Sequence, residues 1–169
     1  SFNLSPKQLK DRLIGLRILS ILGETGLSPR RLEIEVTEGS LVEDKDLARE
    51  LLTGLREAGV RIAIDDFGTG YSSLYHLREF KFDNLKIDRS FVMSMQRDSE
   101  NAVIINAILN LSHGLGLVAT AEGIEREEQL SSLIASGCEQ GQGYLFGRAM
   151  PAADVMAMIE ELSPETKRA

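Results

Sequence analysis

The feature that most constrains this chain is a strand-helix unit that recurs about six times. Leu32-Glu33-Ile34-Glu35-Val36-Thr37 alternates, with Leu32, Ile34 and Val36 on one face of a strand and Glu33, Glu35 and Thr37 on the other. Leu47, Leu51, Leu52 and Leu55 then form a helical stripe that Gly59 stops. Arg61 to Asp65 reads as the next strand, 72–78 as a short helix, and Asn84 to Asp88 as a strand with Lys86 and Asp88 opposite Leu85 and Ile87. A helix over 101–112 carries Val103, Ala107, Ile108 and Leu111; a strand spans 117–122; a helix over 126–136 carries Leu130, Leu133 and Ile134. The last strand is expected at 142–146, and Pro151 opens a final helix with Val155, Ile159 and Leu162. At the front, Phe2-Asn3-Leu4 reads as the end of a strand. Ser5-Pro6-Lys7-Gln8 is a capping box opening a helix with Leu9, Leu13 and Leu16, before Gly23 and Gly26.

Such alternation predicts a parallel sheet covered by helices. Several strands are polar on one face, whereas an open doubly wound sheet needs both faces apolar. A TIM-like (β/α) barrel tolerates inward polar groups near its C-terminal rim, so the predicted class is α/β of that kind. Glu33 and Arg61 are expected to point inward and pair.

With 169 residues, 43% hydrophobic and 27% charged, the chain can bury a real core and is not disordered. A net charge of −7 argues against a nucleic-acid polymer as partner, though not against a small anion bound through cations. One cysteine, Cys138, excludes an internal disulfide and a cysteine-rich zinc site. His76 and His113 are expected to be solvated or on helix surfaces. No apolar run is long enough for a membrane span, and no secretion signal opens the chain, so the cytoplasm is the default.

Polar residues recur at successive strand ends: Asn3, Glu35, Asp65 with Asp66, Lys86, Glu122 and Gln142. One such residue is noise; a set in every unit is a site, because chemistry on barrels sits at that rim. The adjacent carboxylates Asp65 and Asp66 repel and are costly to desolvate, and a divalent cation is their simplest compensation. A helix cap beside a turn aspartate is the plainer reading. The carboxylates and Asn3 would hold metal, Lys86 would neutralise an oxyanion, and Glu122 is a candidate base.

These motifs resemble the EAL domain family of cyclic-di-GMP-specific phosphodiesterases. The matching stretches are Asn3 to Leu9, Glu35-Val36-Thr37-Glu38, Asp65 to Leu74, Leu85 to Phe91, Ala121-Glu122-Gly123-Ile124-Glu125 and Gln142-Gly143-Tyr144. Arg126 stands where a threonine is usual and Ala149 where a proline is usual. The Glu-Ala-Leu signature is missing, and it belongs on a strand before Asn3. The expectation is therefore an incomplete barrel over residues 1–169, with about six units where a complete barrel has eight strands and ~250 residues.

The resemblance implies that Asn3, Glu35 and Asp65 hold one divalent cation together with the absent glutamate. Asp66 helps hold a second, the ions being Mg2+ or Mn2+. Lys86 and Glu122 act on the attacking water, Glu122 as general base. Glu38 anchors the loop from Phe67 to Ser73, Gly68 and Gly70 permit its bending, and Gln142 lies near metal or substrate. Asp88 and Glu125 give support. Two cations activate water and stabilise both reacting oxygens of a phosphodiester, and the implied product is linear pGpG.

Alternatives stay open. Glu38 is equally an exposed charge or a helix-start acid, and Lys86 a structural ion-pair partner. Tyr71 and Tyr144 read as packing residues. The missing signature also fits a catalytically silent cyclic-di-GMP receptor or interaction module. Unpaired sheet edges would favour a homodimer or strand-exchanged oligomer. The family implies upstream sensory or GGDEF domains in the parent protein, which a membrane segment could anchor.

Overall fold

Six parallel strands form one sheet in the order β1-β2-β3-β4-β5-β6: Phe2–Asn3, Glu33–Thr37, Arg61–Phe67, Asn84–Ile87, Val118–Ala121 and Gln140–Gly141. The computed structural model describes residues 1–42, 44–68, 74–96 and 99–162. The helices are α1 (Pro6–Leu9), α2 (Ile14–Thr25), α3 (Glu38–Val42), α4 (Lys45–Glu57), α5 (Leu74–Glu79), α6 (Arg89–Ser94), α7 (Ser99–Leu115), α8 (Glu127–Ala135) and α9 (Ala152–Leu162). Each strand runs into a helix that returns the chain for a parallel neighbour. The order is sequential, as in a barrel wall, and β1 and β6 are the two edges.

The core lies between sheet and helices. Ile34, Val36, Ile62, Ile64, Leu85, Ile87 and Ala119 face outward from the strands and are at most 1% exposed. Leu52 and Leu55 of α4, Ile105 and Leu109 of α7 and Leu133 of α8 cover them. The opposite sheet face carries the polar set, so alternation along each strand separates core from site.

Several boundaries differ from expectation. The last strand is Gln140–Gly141 and not 142–146. A Cβ on Gly143 would lie 2.1 Å from the Ile124 carbonyl oxygen, and the chain leaves the sheet there in a turn closed by Phe146 N–H on Gly143 C=O. The first helix breaks after Leu9, where the Asp11 carboxylate accepts from Leu13 N–H. The stripe is thereby reset to Ile18 and Leu22, leaving Leu13 and Leu16 exposed. In α7 the buried stripe is Ile105, Ile108 and Leu109, with Val103 in solvent, because apolar residues on more than one side of the helix offer two stripes and the sheet selects one. Ile134 is likewise exposed beside buried Leu133. Helices α3 and α6, too short for a periodic signal, were absent from the sequence reading. No helix among the described residues is long and apolar enough to cross a membrane.

Candidate active site

Lys86, on β4, is 4% exposed and sits among three carboxylates. Its Nζ lies 2.6 Å from Glu35 Oε2, 2.5 Å from Glu122 Oε1 and 3.4 Å from Asp65 Oδ1. Glu35 comes from β2, Asp65 from β3, and Glu122 directly follows β5. The rim pattern read from sequence is thus one constellation.

One ammonium cannot satisfy three buried carboxylates equally. Burial alone would lower the Lys86 pKa, but hydrogen bonds and charge from Glu122 and Glu35, with the charge of Asp65, hold it well above the usual lysine range. Burial opposes ionisation of Glu35, yet Lys86, helped by Ser1 and the amino terminus, holds that carboxyl below the usual range. For Glu122 burial dominates: with Asp65 and Glu35 nearby, its carboxyl is pushed up despite Lys86.

The paired aspartates are presented by a β-bulge. Ile64 pairs with Leu85 but Phe67 with Ile87, so β3 carries one extra residue across Asp65-Asp66. Asp66 takes it up with a left-handed φ of 54°, which a short polar side chain tolerates. Its N–H donates to Asp65 Oδ1 at 3.0 Å. Strict alternation would send the two carboxylates to opposite faces. The bulge relaxes that alternation at Asp66, whose carboxyl is pushed up by partial burial and by the charges of Asp65 and Asp88 and drawn down by Lys86.

Asn3 is exposed and pairs in register with Glu35, held by Leu4 N–H on Glu35 C=O. Gln142 lies just beyond β6, its N–H on Ala121 C=O, and lines a cleft of about 300 Å³ with Glu35, Asn84, Lys86 and Thr120. Asp88 caps α6, its carboxylate accepting from Ser90 N–H and from the Ser90 hydroxyl. Glu125 is exposed, and its N–H is held by Gln129. Gly68 has φ 97°, and a Cβ there would be 2.9 Å from the Phe91 ring, so the site wall needs glycine twice over. Gly70, Tyr71 and the rest of 69–73 lie outside the described residues.

His76 corrects the sequence reading, and Glu38 is a helix-start acid but not an exposed charge. Both are buried, and His76 Nδ1 lies 3.5 Å from Glu38 Oε1. His76 also stacks obliquely on Phe80, so it is neither solvated nor on a helix surface. Glu38 opens α3 and His76 lies in α5, immediately after 69–73. Tyr144 is not packed either: it is 60% exposed, with the Arg148 guanidinium 4.3 Å over its ring. Arg61 and Glu33 pair at 3.6 Å as expected.

Sequence reasoning missed the polar layer beneath the site. Asn84 donates to Glu33 and accepts from Thr120 Oγ1 at 3.0 Å, and Gln140 lies 3.2 Å from the same hydroxyl. The signal was there: Asn84 and Thr120 each sit two residues before a rim group, on the same strand face.

A divalent cation fits this donor chemistry. Glu35 and Asp65 oxygens both lie within 3.4 Å of the Lys86 ammonium, and Asn3 stands on the rung beside Glu35, all of them hard oxygen donors. Among the described residues no three acidic, histidine or cysteine side chains form a ready cage.

The sequence profile of the EAL domain matches residues 1–149. Cyclic di-GMP phosphodiesterase RocR of Pseudomonas aeruginosa is 40% identical over 151 residues, which cover 89% of this chain and 38% of RocR. The c-di-GMP complex of PaMucR phosphodiesterase, from the same organism, superposes with TM-score 0.86 at 41% identity, covering 90% of this chain and 62% of that one. Klebsiella pneumoniae BlrP1, as a manganese and cyclic-di-GMP complex, gives TM-score 0.79 at 35% identity over 86% of this chain and 37% of its own. Against three longer relatives the chain spans 20%, 23% and 19% of their length. A sequential parallel sheet, acidic strand ends converging on one lysine, and a profile match over most of the chain agree: the chain belongs to the EAL domain family.

Proposed function

We propose that this chain carries the catalytic wall of a metal-dependent phosphodiesterase that hydrolyses cyclic-di-GMP to linear pGpG in bacterial signalling. The observation that carries the reading is the Lys86 ammonium held at 2.5–3.4 Å among Glu35, Asp65 and Glu122 at neighbouring strand ends. Relatives named cyclic di-GMP phosphodiesterases support the substrate, and a manganese complex of a structural neighbour supports the cation.

Asn3, Glu35 and Asp65 would hold one Mg2+ or Mn2+, and Asp66 a second. Such cations supply Lewis acidity and neutralise phosphate charge. Glu122, raised by its burial, would accept the proton of the attacking water. Lys86, fully charged, would steady a phosphoryl oxygen through the step. Glu38 would anchor the 67–73 loop, Gln142 would border the substrate, and Asp88 and Glu125 would support the rim. A sheet with two edges and six strands, where a closed barrel has eight, supports completion by further strands or by strand exchange in a homodimer. A cytoplasmic domain would meet a nucleotide substrate of this kind, and the named bifunctional cyclase-phosphodiesterase relative supports a GGDEF neighbour.

Incubation with cyclic-di-GMP and Mn2+ or Mg2+, with products separated by chromatography, tests this. The expected result is metal-dependent pGpG that Glu122→Gln reduces at least 100-fold. Product formation unaffected by that change would refute the assignment. A silent receptor is the second reading, favoured by Lys86 already pairing with Glu35, Asp65 and Glu122; tight binding without turnover would establish it.

A further inference from the structure

We propose that Gln129 is a positioning residue that sets Glu122 against Lys86, an inference that rests on the roles just given to those two groups. Gln129 is 4% exposed although it lies in the first turn of α8. Its Oε1 accepts from both Glu125 N–H and Arg126 N–H at 2.9 Å, and its Nε2 donates to Val92 C=O at 3.2 Å. One side chain therefore bridges two segments: the loop leaving β5, which bears Glu122, and α6, which follows the strand bearing Lys86.

The two segments touch at a second point. Gly123 has φ 71°, and a Cβ there would lie 2.5 Å from Arg89 Cβ, so the loop rides directly on the first residue of α6. Ile124 is locked as well, its N–H on Gln142 C=O and its C=O receiving Leu145 N–H. The N–H groups of Glu122, Ile124, Glu125 and Arg126 bond Ile87 C=O, Gln142 C=O and, for the last two, the Gln129 side chain. The Gln129 amide is the tie that references the loop to α6. In an ordinary capping box the helix-cap side chain shares this work, but Arg126 has no acceptor to offer, so the Gln129 half stands alone.

The test compares Gln129→Met, which keeps length and loses all three hydrogen bonds, with Gln129→Glu, which keeps the acceptor. Leu133→Ala, a buried position on the same helix, is the control for lost stability. Amide exchange and turnover of cyclic-di-GMP are measured well below each unfolding temperature. In Gln129→Met, exchange at Glu122, Glu125 and Arg126 should rise at least tenfold, and kcat should fall at least tenfold with KM within twofold. Gln129→Glu, which keeps both loop hydrogen bonds but cannot donate to Val92 C=O, should lower kcat as Gln129→Met does while leaving exchange at Glu125 and Arg126 within about threefold, and Leu133→Ala should leave kcat within twofold. Unchanged exchange at Glu122 in Gln129→Met, or an equal loss of kcat in Leu133→Ala, would overturn the proposal. If the unaltered chain shows no turnover, the phosphodiesterase reading fails separately, and exchange at Glu122 decides the positioning role.

Discussion

Replacing Lys86 by Met should destabilise the chain more at neutral pH than at acid pH. The substitution keeps the stem and removes the ammonium that lies within 3.4 Å of Glu35, Glu122 and Asp65. Removing one partner of a buried ion pair costs about 3–5 kcal/mol, because the remaining charges are buried without compensation. With a urea slope of about 2 kcal/mol/M, the midpoint at pH 7.5 should fall by roughly 2 M. In the native protein Lys86 holds Glu35 below its unfolded value, so that contribution is present at neutral pH and lost as pH falls. Without Lys86, burial and the neighbouring carboxylates push the Glu122 carboxyl further up. The folded state then binds more protons than the unfolded state, and stability rises as pH falls towards the unfolded carboxylate range. One unit of such a shift returns about 1.4 kcal/mol, so the deficit at pH 5 should be visibly smaller than at pH 7.5. Far-UV circular dichroism in urea measures this in a chain without tryptophan. A loss under about 1 kcal/mol at pH 7.5, or an equal loss at both pH values, would refute the argument.

Two further outcomes follow from local geometry. Gly68→Ala, forced into φ 97° with its Cβ 2.9 Å from Phe91, should lose about 1–3 kcal/mol and several degrees of Tm in a thermal melt, and an unchanged Tm would contradict the packing. Burial, with the charge of Glu139, pushes the Cys138 thiol up against the pull of backbone hydrogen bonds at Gln140 and Ala121. Alkylation at pH 8 should therefore be at least tenfold slower than in urea. Stability should also fall as pH rises past the unfolded thiol value of about 8.5, since the unfolded thiol ionises first.

Alternation and rim chemistry were legible because both are local. Glu33-Ile34-Glu35-Val36 declares its two faces within four residues, and Lys86, sitting between Leu85 and Ile87, declares a polar group on an apolar strand. The Glu33–Arg61 pair followed from register alone. His76 was misread because its partner Glu38 is 38 positions away, and nothing local distinguishes a buried imidazole from a solvated one. Val103 was misread because periodicity in an apolar helix leaves its orientation undetermined until the sheet packs against it.

By itself, then, the sequence determined the strand-helix alternation, the parallel sheet and the identity of the acidic strand ends. Period-two and period-3.6 patterns and turn residues act between near neighbours. Only the tertiary structure decided which of those groups meet. The bulge at Asp65-Asp66 breaks the alternation of β3, Lys86 meets carboxylates from three neighbouring units, and Gln129 hydrogen-bonds both the loop after β5 and α6. These depend on contacts between residues tens of positions apart, whose energies exist only once the sheet has brought them together.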